Sequence, residues 1–255
     1  MRTAPMRTAR TPPATRPKPP ERALAKPSPK PWYQHRVRLV VACALALLGI
    51  ACAQPAPPPP AAAPEKPAST TVNPARIDRA RDGLPDGYEV TPYTGSPAPF
   101  ASWGLQESAV ADPAQCATLG APAVDPASAR GWSASGAGGI VYAVVAGAAP
   151  EATPPSQLFG ECAQWSVTAG RATATVTTRP GPAVDAAQTS AMSTAITIVV
   201  EGGTETRSHA DTFVAYLGDH VCYIVVVTDP GSPHPGLAPE FGSDLLVETV
   251  STLRG

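Results

Sequence analysis

Residues 221–227 read Val221-Cys222-Tyr223-Ile224-Val225-Val226-Val227. Successive strand residues point to opposite faces, so a run that is apolar at every position belongs to a central strand covered on both sides. The neighbouring sequence extends this strand into a meander. Gly218-Asp219-His220 turns the chain back to a strand at 212–217, and Glu201-Gly202-Gly203 turns that one back to a strand at 195–200. Downstream, Phe241, Leu245, Leu246, Val250 and Leu253 recur at helical spacing, with Glu240, Asp244, Glu248 and Ser251 on the other side. A helix over 240–253 is therefore expected to lie on the sheet.

The upstream body supplies more strands and short helices. Asn73-Pro74 pairs a capping side chain with proline at the first helical position, and Gly83 closes that helix. Leu84-Pro85-Asp86-Gly87 turns into an alternating strand at 88–91. Asp112-Pro113 repeats the cap-and-proline device ahead of a short helix carrying Cys116 and Leu119. The glycines at 136, 138 and 139 join strands at 132–135 and 140–145 into a hairpin. Thr153-Pro154-Pro155 opens a helix running to Cys162, and strands follow at 166–167 and 172–178. Strands pairing mostly in sequence, with helices before, between and after them, predict an α+β domain built on an antiparallel sheet.

The charge distribution divides the chain before any fold is considered. Of 255 residues, with a net charge of −1, residues 1–38 carry ten Lys/Arg against the single acid Glu21, for +9; the rest therefore carries −10. Sixteen of the 33 prolines precede Asn73. Residues 1–38 thus form a basic, Pro-rich head without an apolar period, 39–53 a signal segment, 54–72 a Pro/Ala-rich linker, and 73–255 one exported domain. A start at Val37 would give a compact signal leading to the same segment. An acidic body without a basic stripe argues against nucleic-acid binding, which draws its affinity from Lys and Arg on phosphates.

Residues 39–51, LVVACALALLGIA, are charge-free and follow Arg36 and Arg38. Thirteen residues suit a signal-peptide core better than a membrane span of about 20. Leu48-Gly49-Ile50-Ala51-Cys52 resembles a bacterial lipobox, so Cys52 is the expected lipidation site. Ala51-Cys52-Ala53 also satisfies ordinary signal peptidase, and an uncleaved anchor is the third reading. A polyproline linker after Cys52 acts as a semi-rigid tether.

Export permits disulfides. Of the body cysteines, Cys116 and Cys162 lie at helices with polar surroundings and are the expected pair. Cys222, in its apolar strand, is expected to remain a free thiol behaving as a small hydrophobe. A bridge closing that loop stabilises by about 3–4 kcal/mol on the chain-entropy account. No Cys-x-x-Cys spacing exists, so zinc or thioredoxin chemistry has no support; Asp82, Asp86, Asp125 and Asp229 are isolated turn acids without calcium-loop spacing, and no metal or cofactor is expected. The body histidines are His209, His220 and His234. Ser208-His209-Ala210-Asp211 brings triad residue types together in sequence, but strand neighbours alternate faces, so a polar strand is the preferred reading. Gly131-x-Ser133-x-Ser135 lacks the last glycine of a nucleophile elbow, and Gly136-x-Gly138-Gly139 lies between strands instead of opening a helix. Trp103, Trp132 and Trp165 are read as core rings in preference to the lining of a groove.

Leu84-Pro85-x-Gly87-Tyr88-x-Val90, Asp112-Pro113-Ala114-Gln115-Cys116, Gly131-Trp132-Ser133-Ala134-Ser135 and Phe159-Gly160-Glu161-Cys162 together resemble the exported domain family of unknown function found in mycobacterial lipoproteins. More distantly, the order of cysteines, hairpin and final helix is similar to the extracellular sensor domain of mycobacterial receptor-type serine/threonine kinases. That likeness implies a twisted antiparallel sheet with packed helices and a cleft, held by two disulfides. Three body cysteines cannot form the second bridge. The resemblance implies a binding or sensing module and carries over no catalytic residue. The expected protein is a non-enzymatic envelope lipoprotein on the outer face of the cytoplasmic membrane. It would bind a small apolar or glycolipid-like ligand or an envelope protein; an envelope hydrolase or a structural surface protein is the alternative.

Wild-type protein is expected to partition into the detergent phase on phase separation, and Cys52→Ser to abolish that partitioning. A mutant that still partitions would instead mean an uncleaved anchor or another membrane contact.

Overall fold

Residue 221 begins a stretch buried on both faces of the sheet, as the apolar run demands: Val221 to Val226 are all buried. The computed structural model describes residues 71–105, 108–228 and 231–255. The expectations for the head 1–38, the signal segment 39–53 with Cys52, and all but the last two residues of the linker lie outside the described residues.

In chain order the strands are β1 (Glu89–Pro92), β2 (Val110–Asp112), β3 (Val124–Gly136), β4 (Gly139–Ala148), β5 (Gln164–Ala169), β6 (Ala172–Pro180), β7 (Gln188–Val199), β8 (Glu205–Tyr216) and β9 (His220–Thr228). Among the described residues they make one sheet, ordered β1-β3-β4-β9-β8-β7-β6-β5-β2. Each neighbouring pair is antiparallel. β9 lies between β4 and β8, with Val226 opposite Val141 and Cys222 opposite Ala215. Both edge strands are very short, which limits the unpaired backbone offered to another chain.

Strand alternation divides β9 between two cores. Cys222, Ile224 and Val226 pack beneath the C-terminal helix Phe241–Arg254, with Leu245, Leu246, Val250 and Leu253 pressed onto them. Ile77 and Ala80 of the helix Pro74–Gly83 join that core, and Trp132 Nε1 donates to the Ile77 carbonyl at 3.1 Å. Val221, Tyr223 and Val225 face the other way, under Phe100, Trp103, Leu119 and Leu158. That second cover is irregular: short helices at Pro99–Ser102, Ala117–Gly120 and Ser156–Glu161 joined by loops. The architecture is broadly α+β, with the sheet holding most of the ordered structure.

Several local expectations change, among them the starts of β3 at Val124 and β8 at Glu205, ahead of the expected 132 and 212. The helix at 74–83 is 3-10 in type, although Asn73 caps it as read, its side chain accepting from Ala75 N at 3.1 Å. Its two buried residues, Ile77 and Ala80, stand three apart, the repeat that a 3-10 helix places on one face. Asp112 does not cap the helical turn beginning at Ala114; it ends β2, where pairing with Ser166 of β5 takes it into the sheet. β7 begins at Gln188, seven residues before the expected 195, because Ser190, Met192 and Thr194 are buried by the cover above them. β2 and the helix Pro99–Ser102 carry too little local pattern to be seen in sequence.

Leu246 is fully buried and Glu248 is exposed. Leu246→Ala is expected to cost about 2–5 kcal/mol through lost burial and a residual cavity. Glu248→Ala should stay within about 0.5 kcal/mol. Urea unfolding followed by tryptophan fluorescence compares them, and equal losses would contradict the helix packing.

Candidate functional site

The hairpin joining β3 to β4 is built on glycine for steric reasons. A Cβ on Gly136 would lie 2.5 Å from the Tyr88 ring, and one on Gly138 would lie 2.9 Å from the Tyr88 hydroxyl and from Leu237. Gly139 has φ +125°, and a Cβ there would meet the Val227 carbonyl at 2.3 Å. The hairpin therefore sits close against Tyr88 and β9, and its glycines serve packing. Beside it is a hollow of about 340 Å³ lined, among the described residues, by Ser135, residues 136–140, Thr228, Gly231, Ser232, Pro233, His234 and Gly236. Ser232 Oγ accepts a hydrogen bond from His234 N at 3.2 Å.

The cavity and the start of the domain occupy opposite ends of the sheet. Asn73 N donates to the Leu253 carbonyl, and Arg254 reaches the Asp185 carbonyl just before β7. That end of the sheet is where Gln188 pairs with Tyr216. β4 has ten residues, so the hairpin tip stands about 30 Å away at about 3.3 Å per residue. Two other hollows, of about 330 and 460 Å³, are lined by Pro74 and Ala75 in one case and by Asp125, Ala148 and Glu151 in the other.

A second polar cluster lies on the sheet face that the C-terminal helix leaves open. His209 and Asp211 share that face, as strand alternation requires, and Ser208 points to the other. The nearby hydroxyl is Ser193 of β7, directly opposite Asp211, a cross-strand neighbour that no local motif announces. His209 Nε2 lies 3.2 Å from Ser193 Oγ and 3.2 Å from Asp211 Oδ1. Arg179 stands 3.6 Å from the same carboxylate oxygen. A catalytic triad needs its acid on Nδ1, leaving Nε2 for the serine. Here both partners compete for one nitrogen. Ser193 also sits within a strand paired on both sides, where neighbouring N–H groups serve the ladder and not an oxyanion. This is an electrostatic pairing of three strands, without the geometry of a nucleophile.

The remaining sequence candidates resolve plainly. Cys116 and Cys162 form a disulfide with Cα atoms 5.7 Å apart. Both are fully buried in the core under the irregular cover, not in the polar surroundings read from sequence. Cys222 is free and buried, and burial pushes its thiol up to about 12, far from a reactive thiolate. Trp103 and Trp165 belong to one core and Trp132 to the other, so the three rings line no common groove. Trp103 Nε1 donates to Thr212 at 2.8 Å and Trp165 Nε1 to Thr178 at 3.1 Å. His220 pairs with Asp219 in its turn, and His234 alone of the three histidines reaches the cavity. No group of three or more metal-ligating side chains occurs among the described residues.

The family described as "Domain of unknown function (DUF5642)" matches residues 73–254. Among solved structures the chain is similar to an uncharacterized protein from Mycobacterium smegmatis, the Rv0999 ortholog. The two share 18% identity at a TM-score of 0.53, over 72% of this chain and 98% of that one. At that identity the likeness is one of fold alone. Both findings fit the mycobacterial domain of unknown function that the motifs resemble. No curated protein matches the chain.

The hydrogen bond to Asp211 raises the pKa of His209, against an opposing effect of burial. Burial pulls Asp211 upward, but His209, Ser193 and Arg179 together hold it below its ordinary value. The His209 contribution to stability is full below the ordinary histidine pKa and fades as pH rises through the raised one. The Asp211 contribution is full above the ordinary carboxylate value and fades as pH falls through the lowered one. The pairing is thus strongest between the two. Asp211→Asn is expected to lower the His209 titration midpoint seen by imidazole NMR; an unmoved midpoint would mean that the contact is absent in solution.

Proposed function

The chain belongs to the DUF5642 family, and we propose that it is a non-enzymatic, sensor-like envelope lipoprotein that binds a small ligand in the cavity beside the β3–β4 hairpin. The lipid on Cys52 and the Pro/Ala-rich linker would hold the domain at the outer face of the cytoplasmic membrane. The observation that carries this reading is the position of the cavity, at the end of the sheet opposite Asn73, where the tether joins. The hollow beside Pro74 and Ala75 lies at the start of the domain instead. A volume of about 340 Å³ is at the small end of the about 300–1,000 Å³ typical of ligand pockets. The Ser193–His209–Asp211 arrangement lends the hydrolase alternative no support, since its atoms are paired in the wrong order for acyl transfer.

A ligand that binds only the folded state raises the unfolding temperature in proportion to its saturation. In a thermal-shift screen of envelope small molecules, at least one is expected to stabilise wild type and leave Gly236→Trp, whose indole would occupy the cavity, unshifted. Stabilisers that act equally on both proteins, or none at all, would remove the cavity from the reading. Separately, Ala137→Cys at the hairpin tip should react with a membrane-impermeant maleimide on intact cells, and silence there would contradict export.

A further inference from the structure

Independently of the hairpin cavity, we infer that the hollow beside Pro74 and Ala75 is a second site, which takes the phosphate group of a small ester such as a glycerophosphate. The domain as a whole is acidic: residues 73–255 hold eighteen Asp and Glu against eight Arg and no Lys. Two of those eight nevertheless line this single hollow of about 330 Å³. Arg81 comes from the 3-10 helix, where Ala75, Asp78 and Arg81 recur every three residues and so fall along one side. Arg130 comes from β3, whose register against β4 shifts between Asp125 and Arg130. Such a break in a strand pair re-aims the side chains beside it. Tyr93 N donates to the Gly131 carbonyl at 3.0 Å, which fixes the end of β1 next to Arg130.

The donors of these two guanidinium groups are only partly used. Arg130 is exposed, and its Nη1 donates to the Ala129 carbonyl at 2.8 Å. No ion pair among the described residues includes it. Its Nε–Nη2 edge is left over, the planar fork that can hold two oxygens of one anion. Arg81 gives Nη2 to Asp78 at 2.5 Å, which leaves Nη1 for another acceptor. A carboxylate has two oxygens and would saturate one fork. A phosphate ester offers a third in tetrahedral array, so it can meet Arg81 as well as Arg130. Asp78 offsets part of the Arg81 charge, which makes Arg130 the main anchor and suits a small anion better than a polyanion. Pro74, Pro92 and the half-buried Tyr93 border the same space and offer apolar surface to the C–H groups of the esterified alcohol.

A 31P NMR titration tests this site, with sn-glycerol 3-phosphate as the probe and the full chain in nonionic dodecyl maltoside micelles at fixed ionic strength. Saturable binding of about millimolar affinity is expected. Arg130→Gln should weaken it about tenfold, the equivalent of a lost charge-assisted hydrogen bond. Arg130→Lys keeps the charge without the fork and should weaken it too. Arg171→Gln makes the same change in net charge at the β5–β6 turn and should bind as wild type does. Thermal unfolding equal to wild type shows that each variant is folded. Absence of saturable binding, or equal weakening by Arg130→Gln and Arg171→Gln, would overturn the site. Acetate displacing the ester at equal concentration would overturn the ligand class. Doping the micelles with phosphatidylglycerol separates two sources of the same chemistry: competition with the soluble ester identifies a lipid headgroup, and an unchanged affinity identifies a free solute. None of these outcomes bears on the hairpin cavity, which Gly236→Trp tests at the other end of the sheet.

Discussion

Burial of β9 on both faces is the constraint from which the rest of the structure follows. A strand with Val221, Tyr223 and Val225 on one side and Cys222, Ile224 and Val226 on the other cannot stand at the surface of a two-layer domain. Each buried aliphatic side chain contributes about 1.5–3 kcal/mol relative to exposure, so leaving either face open would forfeit several such terms at once. Two covering layers are therefore obligatory, and the chain supplies them by different means.

One cover is regular. The C-terminal helix presents Leu245, Leu246, Val250 and Leu253 as a stripe, and the 3-10 helix fills the remaining width with Ile77 and Ala80. The other is a set of short helices and loops too brief to be stable alone. It is held by Cys116–Cys162, which ties the segment after β2 to the one before β5, and by Trp103 and Trp165, whose rings meet Phe100 and whose indole N–H groups reach threonines on the sheet. A disulfide is most useful where local propensity is weakest, since it limits the freedom of the unfolded chain. Here it lies on the irregular side, while Cys222 under the regular helix remains a thiol.

The polar features follow from what those covers leave exposed. The regular layer stops short of most of β5–β7, so most residues alternating with Val167, Val176 and Met192 reach solvent, and these are mainly serine and threonine. His209, Asp211 and Arg179 extend this open surface as a mutually neutralising group. The hairpin cavity has another origin: glycines required by the close approach of Tyr88 turn the chain sharply beside a loop whose own glycine at 236 leaves space unfilled. Proximity of Ser, His and Asp thus arises from solvation of a sheet face, and the hollow arises from packing at its end.

Periodicity alone determined the elements whose side chains repeat strongly. The 221–227 strand, its two meander partners, the glycine hairpin and the C-terminal helix were all legible, because burial on one or two faces writes period 2 or 3.6 directly into the sequence. The glycine turn was visible too, though not the cavity beside it, since a cavity is bounded by residues about 100 positions apart, such as Ser135 and His234. Ser193 was invisible for the same reason: it meets His209 only through the pairing of β7 with β8. The early residues of β7 escaped notice because Ser190 and Thr194 are polar and are buried by a distant cover. Likewise, β2 has three residues and becomes a strand through its partner β5. Local sequence carries the repeat that a face imposes; which faces meet, and which polar groups they bring together, is decided only when non-local pairing is complete.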